Sequence, residues 1–396
     1  MMNDRLERVG DYPFDRLRAL LNPIAPNSNL SPMVLSIGEP QHNAPDILAR
    51  VVHENAALWG KYPPMKGTPE FRAAVAAWLN RRYRLPAGMV DPERHVLPVS
   101  GTREALFLIA LAAIPEKKNG GTPVALMPNP FYQVYAGAAV LSGAEPHFLP
   151  AVPDNGFMPD LADVPADVLE RTALAYVCSP ANPQGAVASL DRLKTAITLA
   201  RRHDFLLVAD ECYSEIYDGA PPPGALEACA ALGGAVDHVM VFQSLSKRSS
   251  APGLRSGFVA GDAAMIKSFG RVREYGGVAP PLPLLAAATA LWRDETHVAE
   301  NRALYRQKFD IAEQALGGRL GFYRPAGGFY LWLDVGDGEK AAAALWRQAA
   351  VRVMPGAYLA RAGTDGVNPG NRYIRCALVH ALAATAEAIE RISRVL

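Results

Sequence analysis

The chain has 396 residues, half of them hydrophobic by type, with 40 lysines and arginines against 39 aspartates and glutamates. That length and apolar share exclude global disorder and suit either two or three domains or one large α/β domain with an appendage. A net charge of +1 gives no general field for nucleic acid or an anionic membrane, and four cysteines without a CxxC pair or metal spacing argue against a disulfide scaffold or a zinc site.

The opening residues are charged at short intervals and contain no apolar segment before a small-residue cleavage site, so no secretory leader is expected. Gly67-Thr68-Pro69-Glu70 reads as a helix start, with Thr68 as cap and Pro69 at the first helical position; Phe71, Val75, Trp78 and Leu79 then share a face. Short apolar runs follow at 95–99, 123–127, 145–150, 174–178, 205–210, 238–244 and 255–261. Runs such as LAYVC and FLLVAD lack period-two alternation, which suits strands buried on both faces of a mostly parallel sheet. Helical patterns lie between them, among them 102–114 and 190–203, the latter after the cap residue Ser189. The uncharged stretches 119–144 and 275–292 are interrupted by proline and glycine and are not membrane spans.

Beyond about residue 290 the pattern changes. Helical spacing runs from 291 to 316 without a good interior breaker; 327–333 reads as a strand, 336–338 as a turn and 340–350 as a helix. Strands at 351–354 and 373–377 and a closing helix at 381–396 complete the chain. The expected architecture is a large α/β domain over 45–285 and a smaller α+β domain formed by 1–44 and 286–396.

Missing motifs narrow the chemistry. No GxGxxG follows a strand, and there is no GxxxxGK[ST] loop, no HExxH and no GxSxG elbow. What remains is a constellation between residues 100 and 255. Lys247, in Ser244-Leu245-Ser246-Lys247, follows an apolar run and precedes Arg255; burial and a cationic neighbour would lower its pKa and free a neutral nucleophile. Alone, such a lysine is more often a solvated loop residue. Asp210 ends FLLVAD, where a buried carboxylate is costly without a positive partner. Ser179-Pro180-Ala181-Asn182-Pro183-Gln184-Gly185 is a turn presenting an amide, and Ser100-Gly101-Thr102 opens a helix whose free N–H groups suit a phosphate.

In this order the segments SPANPQG, ADECYSEIY and SLSKRSSAPGLRSGF resemble the fold-type I, pyridoxal-phosphate-dependent class I/II aminotransferases, and the resemblance runs from Ser36 to Arg375. It implies a seven-stranded, mostly parallel sheet in a large cofactor-binding domain. It also implies that Lys247 carries the cofactor as a Schiff base, that Asp210 keeps the ring nitrogen protonated, and that Asn182 and Tyr213 bond the ring oxygen. Either Tyr132 or Phe131 would stack on the ring, while Gly101, Thr102, Ser244 and Arg255 would hold the phosphate. Tyr62 would reach the phosphate of a neighbouring subunit, implying a homodimer. Arg375 would grip the substrate α-carboxylate beside Gly38 and Asn182. Arg372 competes for that role in sequence, but strand alternation puts the two arginines on opposite faces.

Within the family the chain is most similar to succinyldiaminopimelate aminotransferases of lysine biosynthesis, through Tyr12-Pro13-Phe14-Asp15-Arg16-Leu17, Gly38-Glu39-Pro40, Asn129-Pro130-Phe131-Tyr132-Gln133 and Ser246-Lys247-Arg248-Ser249. That implies a cytoplasmic enzyme exchanging an amino group between N-succinyl-LL-2,6-diaminopimelate and 2-oxoglutarate, with Lys66, Arg103 or Arg273 receiving the distal carboxylate. Gln184 in SPANPQG and the 274–281 loop depart from the usual pattern. A related aminotransferase for alanine, aspartate or an aromatic amino acid is one alternative, and a fold-type I carbon–sulfur lyase another. A regulator built on this fold would need an added DNA-binding domain, and only about forty residues precede the pattern here.

Overall fold

A computed structural model describes residues 3–363 and 366–396. Its strands in chain order are β1 (Met33–Val34), β2 (Val96–Val99), β3 (Val124–Asn129), β4 (Glu145–Pro150), β5 (Thr172–Cys178) and β6 (Leu206–Asp210). They continue with β7 (Val239–Ser244), β8 (Gly257–Gly261), β9 (Tyr330–Asp334), β10 (Val351–Arg352), β11 (Met354–Pro355) and β12 (Tyr373–Ala377). The seven apolar runs form one seven-stranded sheet, ordered β2-β8-β7-β6-β5-β3-β4. Strand β8 runs antiparallel to both neighbours, and the other six run parallel to one another. The expected mostly parallel sheet is therefore present.

The absence of period-two alternation is explained by two apolar layers, one on each sheet face. Ala175 and Leu207 point into the layer holding Phe71, Trp78 and Trp292, while Leu174, Tyr176 and Val208 point into the one holding Leu106, Tyr135 and Phe269. Both faces are thus covered by helices, as parallel sheets require. Thr68 caps the helix Pro69–Tyr83 by accepting the Phe71 N–H at 3.2 Å, and Phe71, Val75, Trp78 and Leu79 are all buried.

A second, antiparallel sheet of order β11-β12-β9 is covered by the helices Gly338–Ala349 and Leu382–Val395, and the two-residue strands β1 and β10 pair in parallel. Two expectations fail here. The helical run 291–316 is broken: one helix ends at Arg293 and another covers Thr296–Leu316. Asp294 is extended, and its carboxylate accepts the His297 N–H at 3.1 Å, so it caps the second helix rather than continuing the first. The strand expected at 351–354 is two fragments in different sheets, β10 and β11, separated at Val353.

Candidate active site

Because six strands run parallel, their C-terminal ends meet along one edge of the sheet, where crossover loops leave a crevice. Strand β2 leads into Ser100-Gly101 and the helix Thr102–Ala113, β3 into Tyr132, and β5 into Asn182. Strand β6 delivers Asp210, and β7 leads into the four-residue helix Leu245–Arg248 that carries Lys247. Strand β8 is antiparallel, so its beginning lies at that edge: Gly257 pairs with both Val99 and Ser244, which brings Arg255 to Gly101. Gly101 has φ of +91°, and a Cβ there would fall 2.0 Å from Arg255 Nη2, so only glycine fits.

Ten of the sequence-derived residues, Gly38, Thr102, Arg103, Phe131, Tyr132, Asn182, Asp210, Tyr213, Lys247 and Arg375, line one cavity of about 260 Å³. Gly101 and Arg255 do not line it, but Gly101 precedes Thr102 in the chain and Arg255 lies against Gly101. Ser244 is buried and does not line it; its hydroxyl caps the lysine helix by accepting the Ser246 N–H at 3.1 Å. Tyr62 is fully exposed and does not line the cavity.

Lys247 points its amine at the Gly38 carbonyl and lies 5.3 Å from the Phe329 ring centre. Burial pushes the amine down to about 8; Arg375 and Arg255 add repulsion, opposed by Cys212 and Glu39. The Asp210 carboxylate accepts the Tyr135 hydroxyl at 2.5 Å and the Cys212 N–H at 3.2 Å. Burial nevertheless holds its pKa above the usual carboxylate value.

Arg375 donates to Asn182 Oδ1 at 3.0 Å and to the Ser36 carbonyl at 2.8 Å, and its guanidinium lies 4.5 Å over Tyr330. Its buried Nε has no partner among the described residues. Arg372 is exposed and pairs with Asp334 at 3.0 Å. Gly38 is required by close approach, since a Cβ would fall 1.9 Å from the Tyr330 hydroxyl, which contacts that of Tyr213 at 3.1 Å.

Both aromatic candidates border the cavity, but Phe131 packs into the core against Phe148, with ring centres 5.0 Å apart. Tyr132 keeps a hydroxyl at the mouth, where it accepts from Arg103 Nε at 2.8 Å. Arg103 also donates to Tyr12 at 3.0 Å, which places a cation in the cavity wall. Arg273 is spent on the carbonyls of Pro98 and Val278, and Lys66 lines a separate groove with Arg72 and Glu93. Tyr135, Cys178 and Tyr330 also border the cavity and were missed in the sequence, where each reads as core.

The donor set is that of a site for an anionic, aldehyde-bearing ring. A glycine cradle at an uncapped helix N-terminus meets an arginine, a buried carboxylate waits for a cation, and a depressed amine waits for a carbonyl.

The family model described as aminotransferase class I and II matches residues 31–392. The chain belongs to the class I and II aminotransferases. Enzymes of this class use pyridoxal 5'-phosphate, and the cavity residues fit that group. An LL-diaminopimelate aminotransferase of Syntrophobacter fumaroxidans is 33% identical over 405 residues, covering 99% of this chain and 98% of the relative. A crystal structure of an aminotransferase from Neisseria meningitidis superposes with a TM-score of 0.94 at 42% identity, covering 99% of each chain. A probable N-succinyldiaminopimelate aminotransferase from Thermus thermophilus superposes at 0.83 with 25% identity, covering 99% of this chain and all of the other. Among the described residues no helix is long and apolar enough to cross a membrane, and no cluster suited to a metal ion is found.

Proposed function

We propose that this aminotransferase moves the α-amino group of N-succinyl-LL-2,6-diaminopimelate to 2-oxoglutarate, as a cytoplasmic homodimer in which Tyr62 reaches the neighbouring site. The observation that carries this reading is the pairing of two cationic positions around Lys247. Arg375 is buried beside Asn182, and Arg103 stands at the mouth between Tyr12 and Tyr132. A substrate with an α-carboxylate at one end and a carboxylate arm at the other would span them. The proposed division puts residues 45–285 around the cofactor and residues 1–44 with 286–396 over the substrate.

When bound, pyridoxal phosphate supplies an electron-poor ring that draws charge from the substrate α-carbon. Gly101, Thr102, Ser244 and Arg255 would hold its phosphate, and Asp210 its ring nitrogen, where the cation relieves the cost of a buried carboxylate. Asn182 and Tyr213 would bond the ring oxygen, and Tyr132 would cover the ring face. Arg375 presents a rigid fork to the α-carboxylate, which fixes the α-hydrogen toward Lys247. The Lys247 amine, neutral in a useful fraction near pH 8, would take that proton and act as the general acid–base group of the transfer. Each half-reaction releases one product before the next substrate enters, a ping-pong sequence.

A second reading, LL-diaminopimelate without the succinyl arm, is supported by the names of the curated relatives. The test is kcat/KM for the two donors, with alanine, aspartate and an aromatic amino acid as comparisons and 2-oxoglutarate as acceptor. Preference for the succinylated donor, lost in Arg103→Ala, supports the proposal. Preference for the free diaminopimelate selects the second reading, and preference for a simple amino acid removes both.

A further inference from the structure

The helix Thr296–Leu316 turns one face toward the lysine loop. His297, Asn301, Tyr305 and Lys308 recur at helical spacing on that face. His297 Nε2 meets the Ser249 hydroxyl at 2.8 Å, and its Nδ1 bonds Asp294. Asn301 Nδ2 reaches the carbonyls of Lys247 at 3.1 Å and Arg248 at 3.3 Å, and its Oδ1 meets the Ser250 hydroxyl at 3.0 Å. Tyr305 stacks on Phe329, the ring beneath the Lys247 amine.

Behind Asn301 the bonds run in one direction. Carbonyls only accept, so the Asn301 nitrogen must face residues 247 and 248 and its oxygen must face His42 Nδ1, 2.9 Å away. His42 Nδ1 is therefore the donor, and its Nε2 must accept. The donor it meets is Lys308 Nζ, at 2.6 Å, which also donates to the Leu378 carbonyl at 2.9 Å. Lys308 is completely buried, and no carboxylate among the described residues pairs with it. A buried amine without a counterion is costly. The chain of bonds thus holds the backbone of residues 247 and 248, and His42 lies four residues beyond Gly38, whose carbonyl receives the Lys247 amine.

We propose that Lys308, His42 and Asn301 form a directed hydrogen-bond relay that positions Lys247, which makes Asn301 and Lys308 positioning residues for amino transfer. This rests on Lys247 being the reacting amine. None of the three lines the cavity, so the relay acts through the lysine main chain and the 38–42 segment rather than by touching substrate.

The test compares Asn301→Ala, Asn301→Asp and Lys308→Met with the wild type. Asn301→Asp keeps the acceptors for His42 and Ser250 but loses both donations to the lysine loop. Two quantities are read: the rate at which full-length apoprotein captures pyridoxal phosphate, followed by absorbance, and the separate kcat and KM of the reconstituted enzyme. Displacements of about 1 Å cost up to about 10²-fold in well-oriented reactions, so kcat and capture rate should both fall by about tenfold or more. KM should stay within about threefold, because ground-state binding is untouched. Wild-type capture and kcat in a folded Asn301 variant would overturn the relay. Should the Asn301 variants not fold, Lys308→Met decides by the same two readouts. Cofactor trapped by borohydride on Lys247→Ala would instead refute the choice of lysine, a separate failure.

Discussion

Arg375, proposed above to bind the substrate carboxylate, illustrates how one side chain is held in place. Two of its nitrogens are tied to Asn182 and Ser36, which fixes the plane of the guanidinium, while Nε is buried without a partner. A lysine could supply the charge but neither the fork nor the fixed plane. Arg375→Lys is expected to raise KM for the amino donor about ten- to hundredfold, the worth of one or two charge-assisted bonds, with a smaller change in kcat. Steady-state kinetics check this, and an unchanged KM would move the carboxylate site elsewhere. At this scale the sequence was informative where residue type and position are both unusual: a lysine after a buried strand, a carboxylate ending one, a glycine at a strand-to-helix turn. Tyr135 was not legible, because a tyrosine in the apolar pattern QVYAGAAVL looks like core until its hydroxyl is seen 2.5 Å from Asp210. Arg273 misled for the opposite reason, since its charge suggested a ligand while its donors serve two backbone carbonyls.

Among the elements, the helix Ala263–Gly276 shows what a single cap does. Asp262 Oδ1 accepts the N–H groups of Ala264 and Met265 at 2.8 and 3.1 Å, and Oδ2 accepts that of His238 at 2.8 Å. The carboxylate thus ties the helix start to the residue that enters β7. Asp262→Ala should cost about 1–2 kcal/mol, the upper part of the range for N-cap losses, and denaturant unfolding measures it directly. Strand positions were legible because burial on both faces writes itself as short apolar runs. Their lateral order was not, since parallel neighbours are chosen by contacts far along the chain. The break at Asp294 was hidden because Asp294-Glu295 interrupts neither the spacing nor the composition, and its capping role depends on where the His297 N–H points.

At the scale of the whole molecule, two amines among the described residues, Lys247 and Lys308, are held down to about 8 and about 7 by burial. Each is protonated in the unfolded chain up to its ordinary value near 10.5, whereas the native state has already shed its proton. Between those limits the unfolded state binds more protons, so both lysines make apoprotein stability rise with pH. The groups facing Lys308 are His42, whose pKa burial lowers, and Tyr305, whose pKa burial raises, so both stay neutral in this window. Wild-type apoprotein should therefore gain thermal stability relative to Lys308→Met as the pH is raised from about 7 to about 9. Melting curves at several pH values test the slope; parallel curves for the two proteins would contradict it.

The sheet order β2-β8-β7-β6-β5-β3-β4 also governs what a growing polypeptide can do on the ribosome. Val96–Val99 emerges long before Gly257–Gly261, yet that segment is its only sheet partner, and Met33–Val34 waits longer still for Val351–Arg352. Until then the nascent chain exposes an apolar edge with unpaired amides, an invitation to self-association. If Gly101 and Arg255 hold the phosphate as proposed, competence to take up the vitamin-derived coenzyme arrives late in translation. The strand whose arrival brings Arg255 to Gly101 is the same one that joins Val96–Val99 to the rest of the sheet.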